Sequence, residues 1–180
     1  ALTPSLVLSG AVLTFYSLKQ TQVGTRRVPA FSVINQKIDY QYQPQSRRYI
    51  PVVSDSEPLF NQTYTEDQAE QLINLGKKTS QAKNCMNCHT LLGNGGYFAP
   101  DLTKAWLDQG WISVESRETM MVKFLMDPEN NARTFGSNRK MPNLGITEEE
   151  AKALVAYLKW MSSIDTNGFP YNFKTLYGQE

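Results

Sequence analysis

The chain of 180 residues is 41% apolar and 19% charged, and its net charge is +1. That balance describes a folded chain long enough for one well-buried domain plus appendages, not a disordered tail. It sets up no field that would favour nucleic acid or a strongly acidic partner, so no nucleic-acid role is expected.

Ala1 to Leu18 contain no charged residue. At ~1.5 Å per residue a helix over them spans ~27 Å, close to the hydrocarbon thickness of a bilayer. Phe15 and Tyr16 stand near one end, where aromatic rings favour the membrane interface. A signal peptide would set a basic stretch ahead of a shorter apolar run. The expectation is therefore a transmembrane anchor over 1–18. Lys19, Arg26 and Arg27 follow it, and positive charge ordinarily marks the cytoplasmic side. An exported C-terminal domain would need basic residues further upstream to outweigh them.

Residues 19–64 read as a linker containing a β-hairpin. The stretch 19–35 is polar with little periodicity. Ile38–Tyr42 and Arg48–Val53 are rich in tyrosine and β-branched residues and are separated by Gln43-Pro44-Gln45-Ser46. Pro51 cannot donate to a ladder, which suits an edge position. These side chains are of the kind that pad a protein surface rather than bind a ligand.

From 65 to 180 the pattern is helical. Thr65 and Gln68 form a capping box opening a helix to about Ser80, with Ala69, Leu72, Ile73 and Gly76 on one face. A second helix is expected from about Val114 to Asp127, stopping before Pro128. Thr147 and Glu150 make another capping box, and Ala151, Leu154, Val155 and Leu158 continue a helix to about Ser162. Gly76 would let this last helix approach closely near Tyr157 or Trp160; ordinary small-residue packing accounts for it equally well.

Between the first two helices stands Cys85-Met86-Asn87-Cys88-His89, which holds the only cysteines and the only histidine of the chain. A zinc site built on this pair would need two further ligands, usually Cys or His, and none exists. A thioredoxin-type pair would need a βαβ pattern, which is absent from the sequence. Cys-x-x-Cys-His is the attachment sequence of c-type haem: Cys85 and Cys88 would form thioethers to the porphyrin and His89 would take the iron as proximal ligand. A distal histidine is unavailable, so methionine is the expected sixth ligand. Met86 lies on the wrong side of the ring, and Met120, Met121, Met126 and Met161 fall in helical stretches where methionine fills cores. Met141 stands in the polar run Arg139-Lys140-Met141-Pro142-Asn143, where a packing methionine has little to pack against, and is the candidate. Pro100, or the backbone of Ala99 before it, stands eleven residues past His89, and the resemblance to cytochromes c implies that a backbone carbonyl there meets the other ring nitrogen. The expected fold is all-α: a mono-haem class I cytochrome c domain preceded by the N-terminal transmembrane helix and a small β-hairpin insert.

The run from Cys85 to Leu102, Cys-Met-Asn-Cys-His-Thr-Leu-Leu-Gly-Asn-Gly-Gly-Tyr-Phe-Ala-Pro-Asp-Leu, resembles the haem loop of the small, cytochrome-type subunit of bacterial nitric oxide reductase. Lys140-Met141-Pro142 and the stretch from Leu158 to Asn167 are similar to that subunit too. The resemblance implies a haem domain on the periplasmic side of the cytoplasmic membrane, beside a polytopic, haem b-bearing catalytic subunit. It implies electrons taken from a soluble cytochrome c or copper protein and passed on for reduction of NO to N2O. It also implies a calcium ion shared at the subunit interface, contacted here by Gly95 and Tyr97; read from the residues alone, the same glycine-rich stretch is a tight turn. No catalytic residue is expected in this chain. The segment from about Pro29 to Tyr64 is longer than the family's usual link, which leaves room for a variant reductase or another haem–copper complex. An independent membrane-anchored electron shuttle, and a haem peroxidase or NO-binding protein with a labile distal ligand, are the competing readings.

Overall fold

The computed structural model describes residues 2–21, 28–132, 139–171 and 173–178. Its frame is a crossed pair of helices, α2 (Glu66–Ala82) and α5 (Glu148–Ser162). Both begin with complete capping boxes, Thr65 with Gln68 and Thr147 with Glu150, so the orphan N–H groups of each first turn are satisfied locally. Acidic residues in both first turns complement the helix dipole. The helices cross at Gly76, where an added Cβ would lie 2.0 Å from the Ala153 carbonyl oxygen and 2.8 Å from Tyr157 Cβ. A helix α3 (Val114–Met126) packs on α5 and ends at Asp127; Pro128 then opens the single turn α4 (Pro128–Asn131), whose first turn Asp127 caps.

The hairpin is present and is part of the core. Strand β1 (Gln36–Gln43) pairs antiparallel with β2 (Arg48–Ser56), with Tyr42 opposite Tyr49 and Ile38 opposite Val53. Ile34, Ile38, Tyr40 and Leu59 are almost wholly buried in the same cluster as Ile73, Val155 and Trp106. Beyond β2, the Glu57 carboxylate accepts from the Arg117 guanidinium and, at 2.6 Å, from the Tyr177 hydroxyl, while its backbone carbonyl accepts from Lys159 at 2.6 Å. The Arg117 guanidinium carbon lies over the Trp106 ring, 3.4 Å from its centre. Glu57, through its carboxylate and its backbone carbonyl, thus joins the segment after the hairpin to α3, α5 and the C-terminal tail.

Two expectations are overturned. The chain is not all-α: besides β1–β2, a second small sheet pairs β3 (Thr90–Leu91) with β4 (Asn94–Gly95). Tyrosine and β-branched residues at 38–53, and a glycine turn after His89, favour paired extended backbone over helix. The transmembrane helix is not supported either. A helix α1 (Leu2–Thr21) does form, but no helix among the described residues is long and apolar enough to cross a membrane. The uncharged run is diluted by Thr3, Pro4, Ser5, Ser9, Gly10, Thr14 and Ser17, and freedom from charge is not apolarity. Arg26 and Arg27, with part of the expected linker over 19–35, lie outside the described residues.

Candidate haem c site

The end of α2 leads directly into the motif. Asn84 takes a left-handed conformation, φ 54°, and turns the chain into a tight helical turn at Cys85–Asn87. Backbone N–H groups of Cys88 and His89 both donate to the Cys85 carbonyl, at 3.3 and 3.0 Å, so the two cysteines sit one turn apart. Both thiols are free and half-buried, and burial pushes the Cys85 thiol up from its ordinary value.

The loop after His89 folds back over the motif. Gly96 N–H donates to the carbonyls of Met86 at 2.8 Å and His89 at 3.2 Å, and Ala99 N–H donates to Cys88 at 2.9 Å. An added Cβ at Gly95, where φ is +124°, would lie 2.3 Å from the His89 carbonyl oxygen; at Gly96 it would lie 2.1 Å from that of Asn87. Positions 95 and 96 therefore require glycine for the backbones to touch. Further on, Asp101 accepts from the Thr90 hydroxyl at 2.6 Å and from Thr103 N–H at 2.8 Å, and Thr103 Oγ1 accepts from Leu92 N–H at 2.7 Å. Pro100 is thereby held so that its carbonyl oxygen lies 2.7 Å from His89 Nδ1. A carbonyl only accepts, so Nδ1 carries a proton and Nε2 is the ring nitrogen left to face a metal.

Met141 arrives from elsewhere in the chain, on the segment leading into α5. It is half-buried and packs against Ile146, Ala151 and Leu154, with Val122, Leu125 and Leu144 around it. The expectation that it would have little to pack against is thus corrected: the polar loop lies over an apolar patch of α3 and α5. Two tethers bind its segment to either side of the motif. Arg139 donates to the Phe98 carbonyl at 3.2 Å and lies over the Phe98 ring at 4.9 Å, while Lys83 Nζ donates to the carbonyls of Leu144 at 3.2 Å and Gly145 at 3.0 Å.

Residues 73–162 match the cytochrome c family. The nitric oxide reductase C subunit of Stutzerimonas stutzeri is 30% identical over 126 residues, covering 69% of this chain and 82% of that protein. The same subunit of Paracoccus denitrificans is 31% identical over 107 residues, 59% of this chain and 70% of the relative. That of Halomonas halodenitrificans is 27% identical over 115 residues, 62% and 73% respectively. The chain belongs to the family of nitric oxide reductase C subunits. It is a cytochrome of the c type.

Members of the cytochrome c family carry covalent haem, and the residues present fit that group: two free thiols one turn apart, a neighbouring imidazole whose Nδ1 is committed to the Pro100 carbonyl so that Nε2 is left for the iron, and apolar side chains at Met86, Leu92 and Phe98 left largely uncovered. The calcium expected at Gly95 and Tyr97 finds no such support. Gly95 is explained by its contact with His89, and Tyr97 is 85% exposed with its hydroxyl donating to Gly93 at 3.3 Å. Among the described residues no three His, Cys, Asp or Glu side chains gather to hold a metal ion. Lys83, Asp101, Thr103 and Arg139, which hold the site together, were not singled out from sequence. Their only signal in the sequence is nearness: Lys83 stands just before the motif, Asp101 and Thr103 just after Pro100, and Arg139 two residues before Met141.

Proposed function

We propose that this chain is the electron-entry subunit of a nitric oxide reductase complex, bearing one haem c held by Cys85 and Cys88 with His89 and Met141 as axial ligands. When bound, the haem supplies one-electron redox chemistry; the chain itself breaks and forms no substrate bond. The observation that carries the reading is the double tether, Arg139 to Phe98 and Lys83 to Leu144 and Gly145, which draws the methionine segment toward the loop where Pro100 aims the His89 ring. A Met141 sulfur and a His89 nitrogen both on the iron would raise its reduction potential and leave it no open position, which argues against a peroxidase or NO-binding role. Electrons would come from a soluble cytochrome c or copper protein and leave to haem b of the polytopic catalytic subunit, at the outer face of the bacterial cytoplasmic membrane. The core-bound hairpin after Pro29 gives this chain a surface for that subunit beyond the haem loop.

The test is purification from the native host. The expected result is one haem c that resists acid-acetone extraction, together with a partner containing haem b and non-haem iron, and re-oxidation of the reduced haem c by NO only when the partner is present. A stable lone chain that turns over electrons without the partner would replace this reading with an independent shuttle.

A further inference from the structure

Lys104 is 1% exposed and follows the segment that positions His89. Its Nζ donates to the carbonyls of Ser162 at 3.0 Å and Ile164 at 2.8 Å, where α5 ends. The ammonium lies 4.6 Å from the centre of the Tyr40 ring on β1. Asp101 on its own loop and Asp165 beyond α5 are the carboxylates whose fields reach it, and Asp165 is paired with Arg48 of β2 at 3.0 Å. Residues 100–104 therefore grip the haem loop through Pro100, Asp101 and Thr103 and grip the end of α5 through Lys104.

We infer that Lys104 is a positioning residue for the redox centre whose proton is linked to the oxidation state of the iron: its two hydrogen bonds set the loop that holds His89, and its charge sets part of the reduction potential. This rests on the reading that His89 ligates a haem iron. Burial pulls the amine down to about 7, against the carboxylates that pull it up, so both forms are populated at neutral pH. Two carbonyls need only two N–H groups, and a neutral amine still has two. Loss of the proton therefore leaves the loop in place and removes only a positive charge. Thr90 and Thr103, which join this segment to the residues after His89, are both buried. Oxidation adds positive charge at the iron and disfavours the ammonium; by linkage the ammonium disfavours oxidation equally.

Spectroelectrochemical titration of the haem-loaded protein across neutral pH tests this. The expected result is a one-proton fall in midpoint potential as pH rises through about 7. Lys104→Met is expected to lose that step, while the loss of its two hydrogen bonds to Ser162 and Ile164 shifts the remaining, pH-independent potential. A wild-type potential with no step there, or a step of undiminished size in Lys104→Met, overturns the inference. Should the variant not fold, nitrogen NMR of Lys104 Nζ in the wild type decides: a lower pKa in the oxidised than in the reduced protein supports the linkage, and equal values refute it. A pyridine haemochrome spectrum without thioether-bound haem would instead defeat the ligation reading and is seen independently of any titration.

Discussion

Arg139 reaches back along the chain to the carbonyl of Phe98, 3.2 Å away, and lays its guanidinium over the same residue's ring. The segment bearing Met141 is thus fastened to the segment bearing Pro100 and, through it, to His89. An exposed contact of this kind contributes ~0.5–1 kcal/mol from the cation–π pair. Arg139→Ala is expected to keep its full complement of covalent haem but to weaken the thioether–iron charge-transfer band and speed CO binding to the reduced protein. Met141→Ala should abolish the band. A band of wild-type strength in both variants would remove Met141 as the distal ligand.

Gly76→Ala should destabilise the protein although alanine is the better helix former, a preference of up to ~1 kcal/mol. The added methyl meets the Ala153 carbonyl at 2.0 Å, closer than any relaxed contact, so α2 and α5 must separate. Overpacking of this sort costs ~1–3 kcal/mol or more. The midpoint of urea unfolding measures it; a midpoint equal to or above the wild type would show that the crossing is looser than described.

At Gly95 two penalties coincide, a φ of +124° and an added Cβ 2.3 Å from the His89 carbonyl oxygen. Backbone strain alone is on the order of 1–3 kcal/mol. Gly95→Ala should leave the helical content nearly unchanged and lower the fraction of chains carrying covalent haem, because the loop no longer closes on the motif. Haem absorbance per mole of protein is the readout, and undiminished loading would contradict the cradle.

The buried lysines give stability a pH dependence with a definite sign. Burial lowers Lys159 to about 8 and Lys104 to about 7, from an ordinary 10.5. Between the folded and the ordinary value the unfolded chain binds more protons, so stability rises with pH through that window. Tyr40, Tyr64, Tyr157 and Tyr177 act oppositely: burial raises all four above the ordinary 10.0, so stability falls once pH passes that value. Urea midpoints should therefore climb from neutral pH into the mildly alkaline range and drop beyond it. In Lys159→Met the climb should be shallower, and an unchanged slope would mean that this ammonium is better solvated than its burial implies.

Much of the site was legible because its signals are local. A capping box closes over four residues, proline acts on the residue before it, and the two thiols and the imidazole of 85–89 lie within one turn. Gly76, too, could be marked as a point of close approach from the small-residue position on an amphipathic face. The hairpin over 36–56 was legible, but the all-α expectation failed at the two-residue strands β3 and β4, too short to leave a pattern and paired only because the glycine turn after His89 folds the loop back. The transmembrane-helix expectation failed because Ser, Thr, Pro and Gly interrupt the uncharged run at 1–18, and freedom from charge is not apolarity.

The amino-acid order alone thus determined the attachment chemistry at Cys85, Cys88 and His89 and the beginnings of the two main helices, each governed by neighbours a few bonds away. Only the folded chain decided how the site is held. The partners of Lys104, Arg117 and Lys159 stand 58, 60 and 102 residues distant, and Met141 gained an apolar bed from two separate helices. Burial and pairing over such separations follow from packing, and no local pattern of residue types encodes them.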